Sequence, residues 1–141
     1  MPKLISQEKI KKRWKYNSRC VFNIAYHIVF CPKYRRRILT SPIDLRLKEL
    51  IIQKCNELNI EIVAMEVMTE HVHLFVKTPP TLSPHIVVGQ IKGFSSKILR
   101  EEFPDLKKKL PCLWSPSYYI DSVGILNEFT IKNYVDNQKN H

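Results

Sequence analysis

The 141 residues carry 23 lysines and arginines against 13 aspartates and glutamates, a formal charge of +10. A hydrophobic share of 44% with only three glycines excludes a disordered or fibrous chain, and no apolar run is long enough to span a membrane. A field of that sign favours a polyanionic partner, and nucleic acid is the polyanion expected. Cys20, Cys31, Cys55 and Cys112 are scattered, with no Cys-x-x-Cys pair, so a zinc knuckle is excluded and free thiols are expected. No charged-then-apolar leader opens the sequence, so the expected compartment is the cytoplasm, in association with the nucleoid.

Residues 1–19 form a basic arm with Trp14 and Tyr16 among the cations. Two readings are open for it: a solvated, frayed end, or an arm that holds phosphate and stacks on bases. A single domain is expected over 20–141. Its first strand, 21–31, places Phe22, Ile24, Tyr26, Ile28 and Phe30 on one face, with His27 on the other. A lone strand histidine of this kind reads as a hydrogen-bonded structural residue. Pro32 stops the strand, and Lys33, Tyr34, Arg35, Arg36 and Arg37 follow, four cations around a tyrosine. That cluster is a candidate DNA-binding patch.

Leu47, Leu50, Ile51, Cys55 and Leu58 recur at helical spacing over 43–58. Strands at 60–68 and 70–78 follow, joined by a turn at Met68-Thr69 short enough to require an antiparallel hairpin. Ser83 and Pro84 read as the N-cap and first position of a helix to about Phe103, with Val87, Ile91, Phe94 and Ile98 as its buried stripe. Ser95, Ser96 and Lys97 are candidate phosphate contacts on it. Gly89 and Gly93 leave one edge bare, either for close approach by a partner or for tight packing against the sheet. Lys107-Lys108-Lys109 is expected in a loop, 117–123 as a fourth strand and 127–139 as a last helix. The β-α-β-β-α-β order predicts an α+β, ferredoxin-like (RRM-like) split β-α-β antiparallel sheet with an added C-terminal helix.

The third strand opens Glu70-His71-Val72-His73. Alternation puts His71 and His73 on one face and Val72, Leu74 and Val76 on the other. Such a pair is either half of a divalent-metal site or two polar residues on a wet face. On the last helix Tyr134 and Gln138 lie four apart and so share a face.

His71-Val72-His73 followed by Tyr134-x-x-x-Gln138 resembles the single-tyrosine HUH transposases of the smallest hairpin-ended bacterial and archaeal insertion sequences. Two further stretches carry the likeness: Tyr26-His27-Ile28-Val29-Phe30 leading into Lys33-Tyr34-Arg35-Arg36, and Leu113-Trp114-Ser115-Pro116-Ser117-Tyr118-Tyr119. Glu70 stands where that family commonly has aspartate. The resemblance implies a metal-dependent endonuclease and strand transferase acting on single-stranded DNA with hairpin ends. It implies Tyr134 as the nucleophile that forms a 5′-phosphotyrosine, and Mg²⁺ or Mn²⁺ held by His71, His73 and Gln138. It also implies a homodimer, with Gly124 suited to a hinge that lets the tyrosine helix serve either subunit.

Three rival readings stand beside it. A non-catalytic single-stranded nucleic-acid binder of the RRM kind would stack bases on sheet aromatics, and Phe75 is the candidate. A histidine-triad phosphohydrolase would need a third histidine where Phe75 stands. A domesticated HUH nuclease that processes palindromes is the third.

Overall fold

Ile28 and Phe30 are at most 1% exposed, and they mark the strand around which the domain is assembled. The computed structural model describes residues 15–16 and 19–123. Gly124, the stretch 127–139 expected as a last helix with Tyr134 and Gln138, and nearly all of the basic arm lie outside the described residues.

A short ladder comes first: β1 (Lys15–Tyr16) pairs antiparallel with β2 (Val21–Phe22). The strand expected over 21–31 is therefore two pieces, because β3 (Ala25–Phe30) begins only after a break at Asn23-Ile24. Helix α1 (Ile43–Glu57) follows, then β4 (Glu61–Val67), β5 (Val72–Lys77) and α2 (Pro84–Glu102). A short helix α3 (Asp105–Lys109) and β6 (Tyr119–Ser122) complete the described chain. The sheet order is β4-β5-β3-β6, antiparallel throughout, which is the split β-α-β topology expected from the element order.

Local signals explain the boundaries. Asn59, with φ 58°, takes the left-handed conformation that closes α1, and the Ile60 amide then bonds back to the Cys55 carbonyl at 2.8 Å. Ser83 caps α2 through a 3.2 Å bond from the Ile86 amide, and Pro84 occupies its first turn. Lys107–Lys109 differ from expectation. Pro104 and Asp105 start a helical turn rather than a loop, and the three lysines sit in its last residues, where cations suit the helix dipole.

Both long helices cover one face of the sheet. Ile28, Phe30, Val72, Leu74 and Val76 meet Leu47, Leu50, Ile51, Val87, Val88, Ile91 and Leu99 in one core. Full burial of each such side chain stabilises the fold by about 1.5–3 kcal/mol. The buried line on α2 runs Val87, Ile91, Ser95, Leu99, so Phe94 and Ile98 flank it instead of forming it. Ser95 is buried because Trp114 Nε1–H donates to its hydroxyl at 3.1 Å, while that hydroxyl donates to the Ile91 carbonyl at 2.7 Å. Fully enclosed, it cannot reach phosphate. A Cβ built on Gly89 or Gly93 meets nothing within 4 Å, so this edge of α2 faces open space rather than the sheet. Among the described residues, no helix is long and apolar enough to cross a membrane.

Candidate active site

The sheet's other face is built from the alternate residues of the same strands. Register places Ala25, His27 and Val29 of β3 beside His73 and Phe75 of β5, Ala64 and Glu66 of β4, and Tyr119 and Asp121 of β6. Phe75 is 1% exposed and packs with Ala25, Ala64, Val63 and Val123. It is therefore closed off as a base-stacking platform, contrary to the role an RRM-like binder would give it.

β5 begins at Val72 rather than at residue 70, so His71 stands just before the strand and His73 within it, and the two come together as the alternation predicts. Their ring centroids are 4.7 Å apart and their planes are 73° apart. His71 lies at the mouth of the hairpin, whose turn is closed by the Met68 amide donating to the His71 carbonyl at 2.8 Å. Its Nδ1–H donates to Glu70 Oε1 at 2.9 Å, and the Thr69 hydroxyl donates to Glu70 Oε2 at 2.5 Å. The Thr69 bond, with those from His71 and the charge of Arg37, holds the Glu70 carboxyl below the usual range. Glutamate in place of the commoner aspartate thus still engages the first histidine.

His73 Nδ1 meets His27 Nε2 at 3.3 Å. Burial, reinforced by the neighbouring His71 and His27, lowers the His73 pKa to about 4. Burial likewise lowers that of His27, partly opposed by the Asp121 carboxylate. His73 is accordingly neutral at physiological pH and has a lone pair to offer. With Nδ1 engaged on each ring, the Nε2 atoms of His71 and His73 make no hydrogen bond among the described residues. Two such imidazoles fit as part of a divalent-metal donor set. Among the described residues, no group of three or more His, Cys, Asp or Glu side chains is placed to hold a metal. Glu66, the register partner of His73, is nearly buried, and its Oε2 has no partner among the described residues.

The basic run meets this end of the sheet. The Leu39 amide donates to the Thr69 carbonyl at 3.1 Å, which ties the segment after the run to the hairpin turn, and the Arg37 charge reaches Glu70. Tyr34 (φ 61°) and Arg35 (φ 51°) both adopt the left-handed conformation, which costs non-glycine residues of order 1 kcal/mol or more each. The tight turn leaves Tyr34 65% exposed, with Lys33 Nζ 5.2 Å from its ring centre. Arg35, Arg36 and Arg37 are exposed.

This loop is anchored by the Leu113–Tyr119 stretch. Pro32 and Trp114 form an isolated antiparallel bridge, flanked by bonds from Lys33 N to Leu113 O (2.8 Å) and from Ser115 N to Cys31 O (2.9 Å). Trp114 also sets its ring edge-on to Phe30, 4.7 Å between centroids. Lys92 holds the segment beyond, donating to the carbonyls of Ser115 (2.6 Å) and Ser117 (3.2 Å). Lys97, by contrast, is exposed on α2, a helix packed against the face opposite the histidines. The structure does not bring it to the His71–His73 site. Sequence reasoning reads His27 first as a structural residue and only second as a contact at the site. Its contact with His73 depends on the β3–β5 register, across 46 residues, and the alternation of β3 alone signals no more than its face.

Comparison with known proteins places this geometry in context. Residues 20–138 match the family model described as "Transposase IS200 like". The chain is 35% identical over 119 residues to the transposase for insertion sequence element IS200 of Salmonella typhimurium, covering 83% of this chain and 78% of the relative. It is 32% identical over 120 residues to the ISDra2 transposase TnpA of Deinococcus radiodurans, covering 84% and 86%. A transposase candidate of known crystal structure from Deinococcus radiodurans superposes with a TM-score of 0.72 at 30% identity, covering 88% of this chain and 97% of that one. A REP-associated tyrosine transposase bound to a REP hairpin shares the fold, with a TM-score of 0.60 at 19% identity and coverage of 86% and 68%.

Proposed function

The chain belongs to the IS200-like transposase family, and on that premise we propose that it cuts and rejoins single-stranded DNA at hairpin-bearing insertion-sequence ends through a 5′-phosphotyrosine. The observation that carries this reading is the His71–His73 pair on the sheet face that the two long helices leave uncovered, each ring with Nδ1 engaged and Nε2 without a hydrogen bond among the described residues. His71, His73 and the amide oxygen of Gln138 would hold Mg²⁺ or Mn²⁺. When bound, that ion polarises the scissile phosphate and offsets charge in the transition state.

Tyr134 is the nucleophile. Its oxygen bonds to phosphorus, the bond from phosphorus to the 3′-oxygen breaks, and that oxygen takes up a proton to leave as a 3′-hydroxyl. The phenol proton goes to solvent. The phosphotyrosine conserves the energy of the diester, so another 3′-hydroxyl can attack it and rejoin strands without ATP. Lys33, Arg35, Arg36 and Arg37 bind the backbone phosphates beside the hairpin turn, and Tyr34 offers its ring to an unpaired base. Excision needs two cuts and each chain has one such tyrosine, so the working unit is a homodimer.

The reading is tested with labelled single strands carrying an end hairpin, incubated with full-length protein and Mg²⁺ and run on a denaturing gel. A protein–DNA adduct that EDTA abolishes is expected, and duplex DNA should be a poor substrate. Absence of any adduct contradicts it. Mixing Tyr134→Phe with His71→Ala chains tests sharing between subunits: recovery of cleavage supports it, and no recovery argues against it.

A further inference from the structure

We infer that His27 is a positioning residue for His73: by accepting a hydrogen bond at its Nε2 it fixes the proton of His73 on Nδ1 and turns the Nε2 lone pair outward as the metal-binding atom. The inference rests on the reading of His71 and His73 as metal ligands. It is carried by three strands of the sheet acting in sequence. His73 on β5 meets His27 on β3 nitrogen to nitrogen at 3.3 Å, with the ring planes only 21° apart. On the other flank of β3, Asp121 of β6 is the direct register partner of His27, and its charge reaches that ring. Tyr119 sets its ring edge-on to His27, 6.2 Å between centroids, and so restricts the imidazole from the same flank.

A hydrogen bond between two neutral imidazoles holds one proton, and its direction decides what His73 can do. If His27 donates, His73 accepts at Nδ1 and its own proton sits on Nε2, which then cannot bind a metal. If His73 donates, Nε2 carries the lone pair. Asp121 lies on the side of His27 away from His73, so its negative charge favours the His27 proton on Nδ1 and leaves Nε2 as the acceptor. His71 reaches the same state by a shorter route, through the carboxylate of its sequence neighbour Glu70 at 2.9 Å. The two ligands thus present the same nitrogen, one oriented by a local carboxylate and the other by a histidine on the neighbouring strand. Partners that orient a metal-bound histidine in this way are worth about 10–100-fold in metal affinity.

The test uses metal-free full-length protein labelled with ¹⁵N-histidine. Long-range ¹H–¹⁵N correlation should show His73 protonated on Nδ1 and unprotonated on Nε2. In His27→Phe, which keeps a ring of similar size but removes the acceptor, the Nε2–H form should gain population. Mn²⁺ affinity, read by the free-ion EPR signal, should fall by about 10–100-fold. His27→Gln restores a carbonyl acceptor, so it should retain the Nδ1–H form and recover most of the affinity. A wild-type His73 protonated on Nε2 overturns the inference, as does folded His27→Phe that binds Mn²⁺ within twofold of wild type. If His27→Phe does not fold, the wild-type tautomer and His27→Gln still decide. A wild-type protein that shows the Nδ1–H tautomer yet binds no Mn²⁺ overturns the metal reading instead and leaves the hydrogen bond standing.

Discussion

Leu74 and His73 are neighbours on β5, yet Leu74 is sealed between the sheet and two helices, while His73 lies on the face those helices leave. Along β3 the same alternation separates Ile28 from His27. The helix-covered face is apolar except for the half-buried Tyr26 on β3. The histidine face carries His27, His73, Glu66 and Asp121 at paired or adjacent register positions. The contrast shows how one strand serves two purposes. The period of two lets folding energy accumulate on one side without constraining the chemistry on the other. It also sets a cost, because the polar groups are partly desolvated and each must find a partner or a ligand.

Substitutions on adjacent residues separate the two faces most sharply. His73→Ala should lower single-strand cleavage by on the order of 10³-fold or more while the protein keeps most of its stability. Gel-based cleavage rates and thermal melts measure both. Equal loss of folding and activity would erase the distinction. Leu74→Ala should do the reverse, costing about 2–5 kcal/mol in denaturant unfolding through lost burial and a cavity. A cost below about 1 kcal/mol would mean that the helix-covered face is not the main source of stability.

Between pH 7 and pH 5 acid should weaken the fold chiefly through the histidine face, before the salt-bridged carboxylates of Glu57 and Glu102 titrate. His73 titrates near 4 when folded and near 6.5 when unfolded, so the unfolded chain binds the proton first. Its contribution is complete above pH 6.5 and is lost as pH falls from there toward 4. His27, lowered in the same direction, adds to the loss. Metal-free wild type should lose about 1–2 kcal/mol more than His73→Phe between pH 7 and pH 5, allowing for partial exposure. Identical pH profiles for the two proteins would contradict this. An effect of similar size is expected at the loop anchor. Ser95→Ala removes the acceptor of Trp114 Nε1–H and should cost about 1–2 kcal/mol, read by chemical denaturation. No change would mean that the indole N–H finds another partner.

The order of elements was legible because each carries its own period: Leu47, Leu50, Ile51 and Cys55 mark α1, and Val72, Leu74 and Val76 mark the buried face of β5. The His71–His73 pairing followed from the same alternation. What was not legible depends on contacts between distant segments. Phe75 read as available for stacking because alternation gives a residue's face but not what covers it. Ser95 read as polar and exposed because the indole that buries it stands 19 residues away. Lys107–Lys109 read as loop because three like charges give no helical period. The approach of His27 to His73 required the strand register, which no local pattern encodes.

The central claim is that the histidine face works with Tyr134 in phosphodiester chemistry. It is tested most directly by intact-mass and peptide-mapping spectrometry of the full-length protein after incubation with hairpin-ended single-stranded DNA and Mg²⁺. A 5′-phosphoryl DNA adduct mapped to Tyr134, missing in His73→Ala and in EDTA, is the result expected. An adduct on any other residue, or one formed equally well by His73→Ala, would contradict the account.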